Sequence, residues 1–472
     1  MDTEQEEKGE AMRREAIWMS EVYEPLGGYP VAVRAGQFLF LSGQVAWDPR
    51  RGLIRGANDL PAEAGGLATG HGYVDALEAP VAAQTWWIYR NLCRVLEAQG
   101  SALGQALRFH IYQKDKRFFP VFERVRMQYE AQAPAPSSGL GISRLQRSPE
   151  AWIDMDGIAL IPATGLPGRD VVSPSGVLPS ASAYSQAVRT GSYLFLAGHI
   201  PIQTARPGKP VIRGFDDVPE EGRFLQTGRS HPDSRQGPIA AQTWFTYQEI
   251  RKLVESQCAS LRDVVNVTVF LQDMRDLPTF HRVHQRLFPE DPPALTVTEF
   301  AEVGHRGTLI EIEPTVLVPG HGVVRRTIAG PSRPGLHAAP AVQAGGLVFL
   351  SGACGWGAHG PAQGAGDLPP EGREAVERLA GNRPTAGAQA WAALALLRET
   401  LRSAGLSLRD LVKVTLYLQD LEDFPAFDAM RRAIAPGDPP ALAVAQIPRP
   451  GPTPDVRLCV EGIAWGADGG GG

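Results

Sequence analysis

Apolar and polar side chains alternate along the chain from Val265 to Gln272. Val265, Val267, Val269 and Leu271 fall on one side, and Asn266, Thr268, Phe270 and Gln272 on the other. A period of two predicts a half-buried strand. Upstream, Trp244, Tyr247, Ile250 and Val254 recur at helical spacing, predicting a helix with one apolar face. Trp86, Tyr89, Leu92 and Leu96 repeat that stripe, as do Trp391, Leu394, Leu397 and Leu401. Leu411 to Asp423 matches Val264 to Asp276 at seven of thirteen positions, and Ala106 to Phe118 is a weaker copy that keeps Asp115 where the others have Asp273 and Asp420. An apolar strand ending in glycine also occurs three times, at Phe38–Gly43, Tyr193–Gly198 and Leu347–Gly352.

Each copy reads strand-strand-helix-strand-helix-strand, with the second helix opening near Pro120, Pro278 or Pro425, where proline suits a first turn. That order predicts an α+β layer with two helices covering one face of a mixed sheet. A repeat of about 150 residues is too long for a solenoid. Each copy can bury its own core, so three tandem domains are expected, at 18–165, 183–320 and 338–466. Segments 166–182 and 321–337 read as linkers, 1–17 as a charged tail and 467–472 as a glycine-rich tail.

The 472 residues carry a net charge of −5 and no basic field, which argues against a nucleic-acid partner. No apolar run approaches the ~20 residues that span a bilayer, and the charged start does not read as a secretory signal. Four cysteines without a CxxC pair fit a reducing, cytoplasmic setting. Gly355–Gly360 fits GxGxxG but runs into Pro361 rather than a helix, so no nucleotide site is expected. His281 and His284 would give a metal only two ligands, and no metal or cofactor is expected.

The motifs Ser42-Gly-Gln44, Gln242-Thr243, Asn266–Asp273, Pro293-Ala-Leu295 and Glu311-Ile-Glu313 resemble, in order, those of the RidA/YjgF/UK114 family. The resemblance implies chorismate-mutase-like domains that trimerise with ligand clefts between subunits. Three copies in one chain then imply an intramolecular pseudo-trimer, closed head to tail and acting as a monomer. It further implies hydrolytic deamination of enamines or imines such as 2-aminoacrylate, with an arginine clamping the substrate carboxylate and a glutamate activating water.

Here the arginine position holds Ser137, Leu295 and Leu442, so an altered small-molecule substrate is expected. The glutamate position holds Asp154, Glu311 and Cys459, followed by Asp156, Glu313 and Glu461; members of each pair are expected on opposite faces of the strand. The family tyrosine is matched by Tyr29 and Tyr184, with Ala338 in the third copy; the family asparagine is replaced by Glu123, His281 and Asp428. The second copy therefore carries the fullest set, with Glu311 activating water, Tyr184 orienting substrate and His281 moving a proton. Tyr29, Glu123, Asp154, Gly198, His199 and Asp428 are the expected substrate contacts. Two alternatives stay open: a non-catalytic ligand-binding protein, and a chorismatase-like enzyme using Arg144, Arg306 and Arg449.

Overall fold

The computed structural model describes residues 14–64, 67, 72–132, 134–164, 166–320, 322–333, 335–357 and 359–466. In the first unit, β1 (Glu15–Ile17), β2 (Ala32–Ala35), β3 (Phe38–Val45), β4 (Ala106–Gln113), β5 (Ser137–Gly141) and β6 (Ile153–Leu160) form one sheet in the order β1-β2-β3-β6-β4-β5. Helices α1 (Gly72–Ala98) and α2 (Phe119–Glu130) accompany it. The second unit repeats the order with β7 (Asp170–Val172), β8 (Ala187–Thr190), β9 (Tyr193–Leu196), β10 (Val264–Leu271), β11 (Ala294–Glu299) and β12 (Ile310–Leu317), plus α3 (Ser230–Glu255) and α4 (Leu277–Leu287). The third does so with β13 (Arg325–Ile328), β14 (Ala341–Ala344), β15 (Leu347–Cys354), β16 (Leu411–Leu418), β17 (Ala441–Gln446) and β18 (Leu458–Trp465), plus α5 (Pro370–Leu379), α6 (Pro384–Ser403) and α7 (Phe424–Ile434). Each sheet is mixed, because β4–β5 and its counterparts pair in parallel and the other neighbours antiparallel.

The structure adds to the expected order. Each unit has a further strand after the second helix and an edge strand at its start, and the third has a third helix. Edge strands β7 and β13 come from stretches expected as linkers. An arginine at or beside each edge strand then reaches the neighbouring unit. Arg14, Arg169 and Arg325 donate to the carbonyls of Leu411, Ala106 and Val264, the first residues of β16, β4 and β10, at 2.8, 2.7 and 3.1 Å.

Two repeated residues explain why three divergent copies keep one fold. Gln84, Gln242 and Gln389 each make the same three bonds. Their amides donate to a loop carbonyl (Ile54, Ile212 or Ala362) and to a second carbonyl before the last strand (Glu150, Gly307 or Asp455), while their oxygens accept a backbone amide (Trp152, Leu309 or Arg457). Asp115, Asp273 and Asp420 each accept the amide two residues on and cap the turn that leads into the second helix.

The units close on one another through one contact made three times. Gly141 bridges Glu302, Glu299 bridges Arg449, and Gln446 bridges Arg144, which joins the first unit to the second, the second to the third and the third to the first. At the centre, Phe38, Phe40, Phe195, Val265, Val342, Phe349 and Val412 belong to one buried cluster drawn from all three units. This explains why β10 is buried along its whole length rather than half-buried. Its polar face meets the other two units.

An ion network lies at this centre, drawn from all three units. His110 bridges Asp156 at 3.0 Å and Glu313 at 2.9 Å; Arg108 lies 3.1 Å from Glu313; and Lys413 lies 2.6 Å from Asp156 and donates to the Leu41 carbonyl. Glu461 accepts from Thr268 and Tyr417. Burial alone would depress His110, but Glu313 and Asp156 outweigh it and lift the imidazole to about 10. Against the opposing effect of burial, Lys413 and His110 hold Asp156, and Arg108 and His110 hold Glu313, below the usual carboxylate range.

Candidate active site

The equivalent position in each seam is set by a glycine. A Cβ on Gly43 would press on Asp154, one on Gly352 on Cys459 and Thr296, and one on Gly198 would collide with Glu311 and the Ser138 hydroxyl. The last-strand residue of one unit therefore packs between that glycine and the neighbouring unit. The three seams then differ through side-chain size and one hydroxyl. Ser351 accepts from the Leu295 amide and Ser42 from the Leu442 amide, stitching the second and third seams. In the first seam this serine is Ala197, which has no hydroxyl to offer. Leu295 and Val297, and Leu442 and Val444, fill their units' cores, whereas the matching residues of β5 are Ser137 and Gly139. Small residues and a missing stitch leave a cleft of about 720 Å³ between the first and second units.

Glu311 forms part of the cleft wall and is 2% exposed. It accepts from the Gly304 amide at 3.0 Å and lies beside Ser138, which donates to Glu313. Burial, opposed by Lys116 and reinforced by Glu313, raises the Glu311 carboxyl to about 7. Tyr184 and Gly198 line the same cleft. Burial, with Glu311 adding to it, raises the Tyr184 hydroxyl to about 12. Glu123 reaches across from α2, accepting from the Ser182 hydroxyl and, at 3.1 Å, the Ala183 amide.

Lys116 straddles the opening, donating to the carbonyls of Gly139 at 2.5 Å and Gly304 at 2.7 Å, one on each unit. Its third N–H and the guanidinium of Arg306 place positive charge in a cleft that lacks the family arginine. Lys116 was missed in the sequence because its counterparts are Met274 and Leu421, so repeat comparison carries no signal there. Ser138 was missed because its neighbour Ser137 holds the family position.

Not all the expected residues meet. His281 is not in the cleft of Glu311 and Tyr184: it accepts from the His337 amide at 2.6 Å, in the seam between the second and third units. Head-to-tail closure is the reason, since the second helix of each unit faces the tyrosine segment of the next. Glu123, not His281, therefore joins Tyr184. Tyr29 and Asp428 meet in the third seam, where the hydroxyl donates to the carboxylate at 3.0 Å and the ring is buried. Asp154 accepts from Gln146 at 2.7 Å, and burial raises it to about 7. His199 lies beside the cleft in a smaller pocket behind Tyr184. Glu311 and Glu313 share one face of β12, since both meet Ser138, and so do the other two pairs. Residues two apart on a strand point the same way, so the expected division between faces fails. Arg144 pairs with Glu422 in the third seam, and Arg449 takes part in a backbone bridge; only Arg306 reaches the open cleft.

The sequence pattern of the endoribonuclease L-PSP family matches residues 19–161, 222–318 and 333–465, one segment in each unit. The chain belongs to this family. Relatives under the RutC name are about one unit long, so this member carries three. A RutC family protein of Pyrococcus abyssi is 32% identical over 28% of this chain and 82% of its own length. A 2-iminobutanoate/2-iminopropanoate deaminase of Dermatophagoides farinae is 25% identical over 32% of this chain and 98% of its own. The crystal structure of RidA from an Antarctic Psychrobacter covers 32% of this chain and 99% of its own at 21% identity, with a TM-score of 0.25. Among the described residues of this family member, no helix is long and apolar enough to cross a membrane.

Proposed function

We propose that the first cleft hydrolyses a small anionic imine or enamine to the corresponding carbonyl compound and ammonia. The observation that carries this reading is the Glu311 carboxyl, buried in the wall of a large cleft and titrating near neutrality, where a group can both take and return a proton. Ionised Glu311 removes a proton from a water molecule that attacks the imine carbon. The protonated acid returns that proton to the nitrogen, giving a carbinolamine; the carboxylate then takes the hydroxyl proton and passes it to the amine, which leaves as ammonia while the carbon–oxygen double bond forms. Lys116 and Arg306 hold the substrate anion in place of the family arginine, and Tyr184 and Glu123 bound the substrate on the side of the second unit's entry segment. The imine deaminase name of the Dermatophagoides relative supports the same chemistry.

The test is an assay with imines generated in situ by an amino-acid oxidase, following release of the carbonyl product. Acceleration is expected for at least one imine, with kcat/KM rising through about pH 7 as Glu311 ionises and levelling above it. No acceleration with any of a range of small and branched imines, from about pH 6 to about pH 9, would rule the reading out.

Lys116→Met gives a second expectation. Loss of one cationic contact to the substrate should raise KM about ten-fold with little change in kcat. Because Lys116 lowers the Glu311 carboxyl, the pH midpoint should also move upward. An unchanged KM and midpoint would place substrate binding elsewhere.

A further inference from the structure

Behind Tyr184 lies a pocket of about 40 Å³, room for a water molecule or a small polar group. It shares Ala181, Tyr184, Gly198 and Ile200 with the first cleft, and its wall includes His199 and Glu249. His199 Nδ1 lies 2.9 Å from the Ala197 carbonyl oxygen. A carbonyl only accepts, so the proton sits on Nδ1 and the neutral ring presents a lone pair at Nε2. Burial favours that neutral ring by lowering the imidazole from its ordinary value. Nε2 is buried and makes no hydrogen bond. Glu249 is 7% exposed; one of its oxygens accepts from Lys252 at 2.6 Å, and the other is buried without a partner. Two buried acceptors without a hydrogen-bond partner thus line one pocket. Buried acceptors left without a donor are costly, and native structures rarely leave them so.

We propose that this pocket is the specificity site for the substrate's far end, and that it selects a tail bearing N–H donors, a terminal carboxamide or ammonium, over an apolar tail of the same size. The inference rests on the reading of the adjoining cleft as the reaction site and adds the substrate class to it. An amide nitrogen or an ammonium carries two or three N–H bonds, enough to serve Nε2 of His199 and the second oxygen of Glu249 together. A site built to satisfy such groups rejects an isostere that lacks them, because both acceptors are then buried unpaired.

The probes are three stable 2-oxo acids of equal length, ending in a carboxamide, an ammonium or an isopropyl group, titrated calorimetrically into the full-length protein. At least one of the two N–H-bearing acids is expected to bind about ten-fold or more tighter than the isopropyl acid. Glu249→Leu and His199→Leu, each checked for an unchanged melting transition, are expected to abolish that preference. Equal affinities in the wild-type protein, or no measurable binding of either N–H-bearing acid, overturn the proposal without any variant having to fold. A preference that survives both substitutions overturns it as well. The underlying reading fails separately: a wild-type protein that keeps the preference yet turns over no imine retains this pocket and loses the hydrolase. Turnover of imines without tail preference does the reverse.

Discussion

Glu311→Gln is expected to lower kcat for imine hydrolysis by about 10² to 10⁴-fold while leaving KM within a few-fold, the range that a positioned acid–base group contributes. The amide keeps the shape of the side chain and can still accept from the Gly304 amide, so the cleft should hold its form. It cannot exchange a proton near neutrality. Stability separates this outcome from simple unfolding. The Glu311 carboxyl sits at about 7 in the folded protein against 4.5 ordinarily, so burial disfavours its charged form. The folded state therefore loses stability as pH rises from about 4.5 to about 7, and the penalty is complete above that. A neutral glutamine escapes it, so the variant should melt no lower than the wild type at pH 8 while being nearly inactive. Undiminished turnover in a folded Glu311→Gln protein would remove the acid–base role from this residue.

The second large effect concerns the central ion network. Lys413→Met is expected to destabilise the protein by about 3 to 5 kcal/mol, because it leaves the fully buried Asp156 with His110 as its remaining close cationic partner. Chemical denaturation near pH 7 measures this, and adding Asp156→Asn should recover part of the loss, as expected when the missing partner rather than the missing methylenes dominates. A loss below about 1 kcal/mol would mean that water reaches the centre and screens these charges. The network also sets a pH window. His110 is raised in the folded state, so its contribution is complete below about 6.5 and is lost as pH climbs through about 10. Asp156 and Glu313 are lowered, so theirs is present above the ordinary carboxylate range and is lost as pH falls below it.

The repeated architecture was legible because apolar spacing and proline positions report local preference, and three copies reinforced one another. Glu311, Tyr184 and Gly198 were found through the motif and do share a cleft. His281, grouped by its copy with Glu311 and Tyr184, lies in another seam, because a linear sequence does not say which neighbour faces a helix; only the head-to-tail closure decides that. Lys116 and Ser138 were invisible for the opposite reason, since neither repeats. Glu311 and Glu313 stand two apart on one strand, so the period of two alone places both on one face. The depth of the first cleft was written in Ser137, Gly139 and Ala197, each unremarkable singly, and became readable only when set against Leu295, Val297 and Ser351 across a seam.

The arginine contacts at the edge strands bear on what the covalent connections contribute. Arg169 and Arg325 follow chain segments that lead directly out of the unit they grip, but Arg14 makes the same contact with Leu411 across the seam that no connecting segment bridges. The third seam therefore closes through noncovalent contacts, with the first and third units held near each other only by way of the second. The two tethers raise local concentration and fix which unit neighbours which. They keep unlike units in one fixed cyclic order, so that the open first seam and the two serine-stitched ones recur in every molecule.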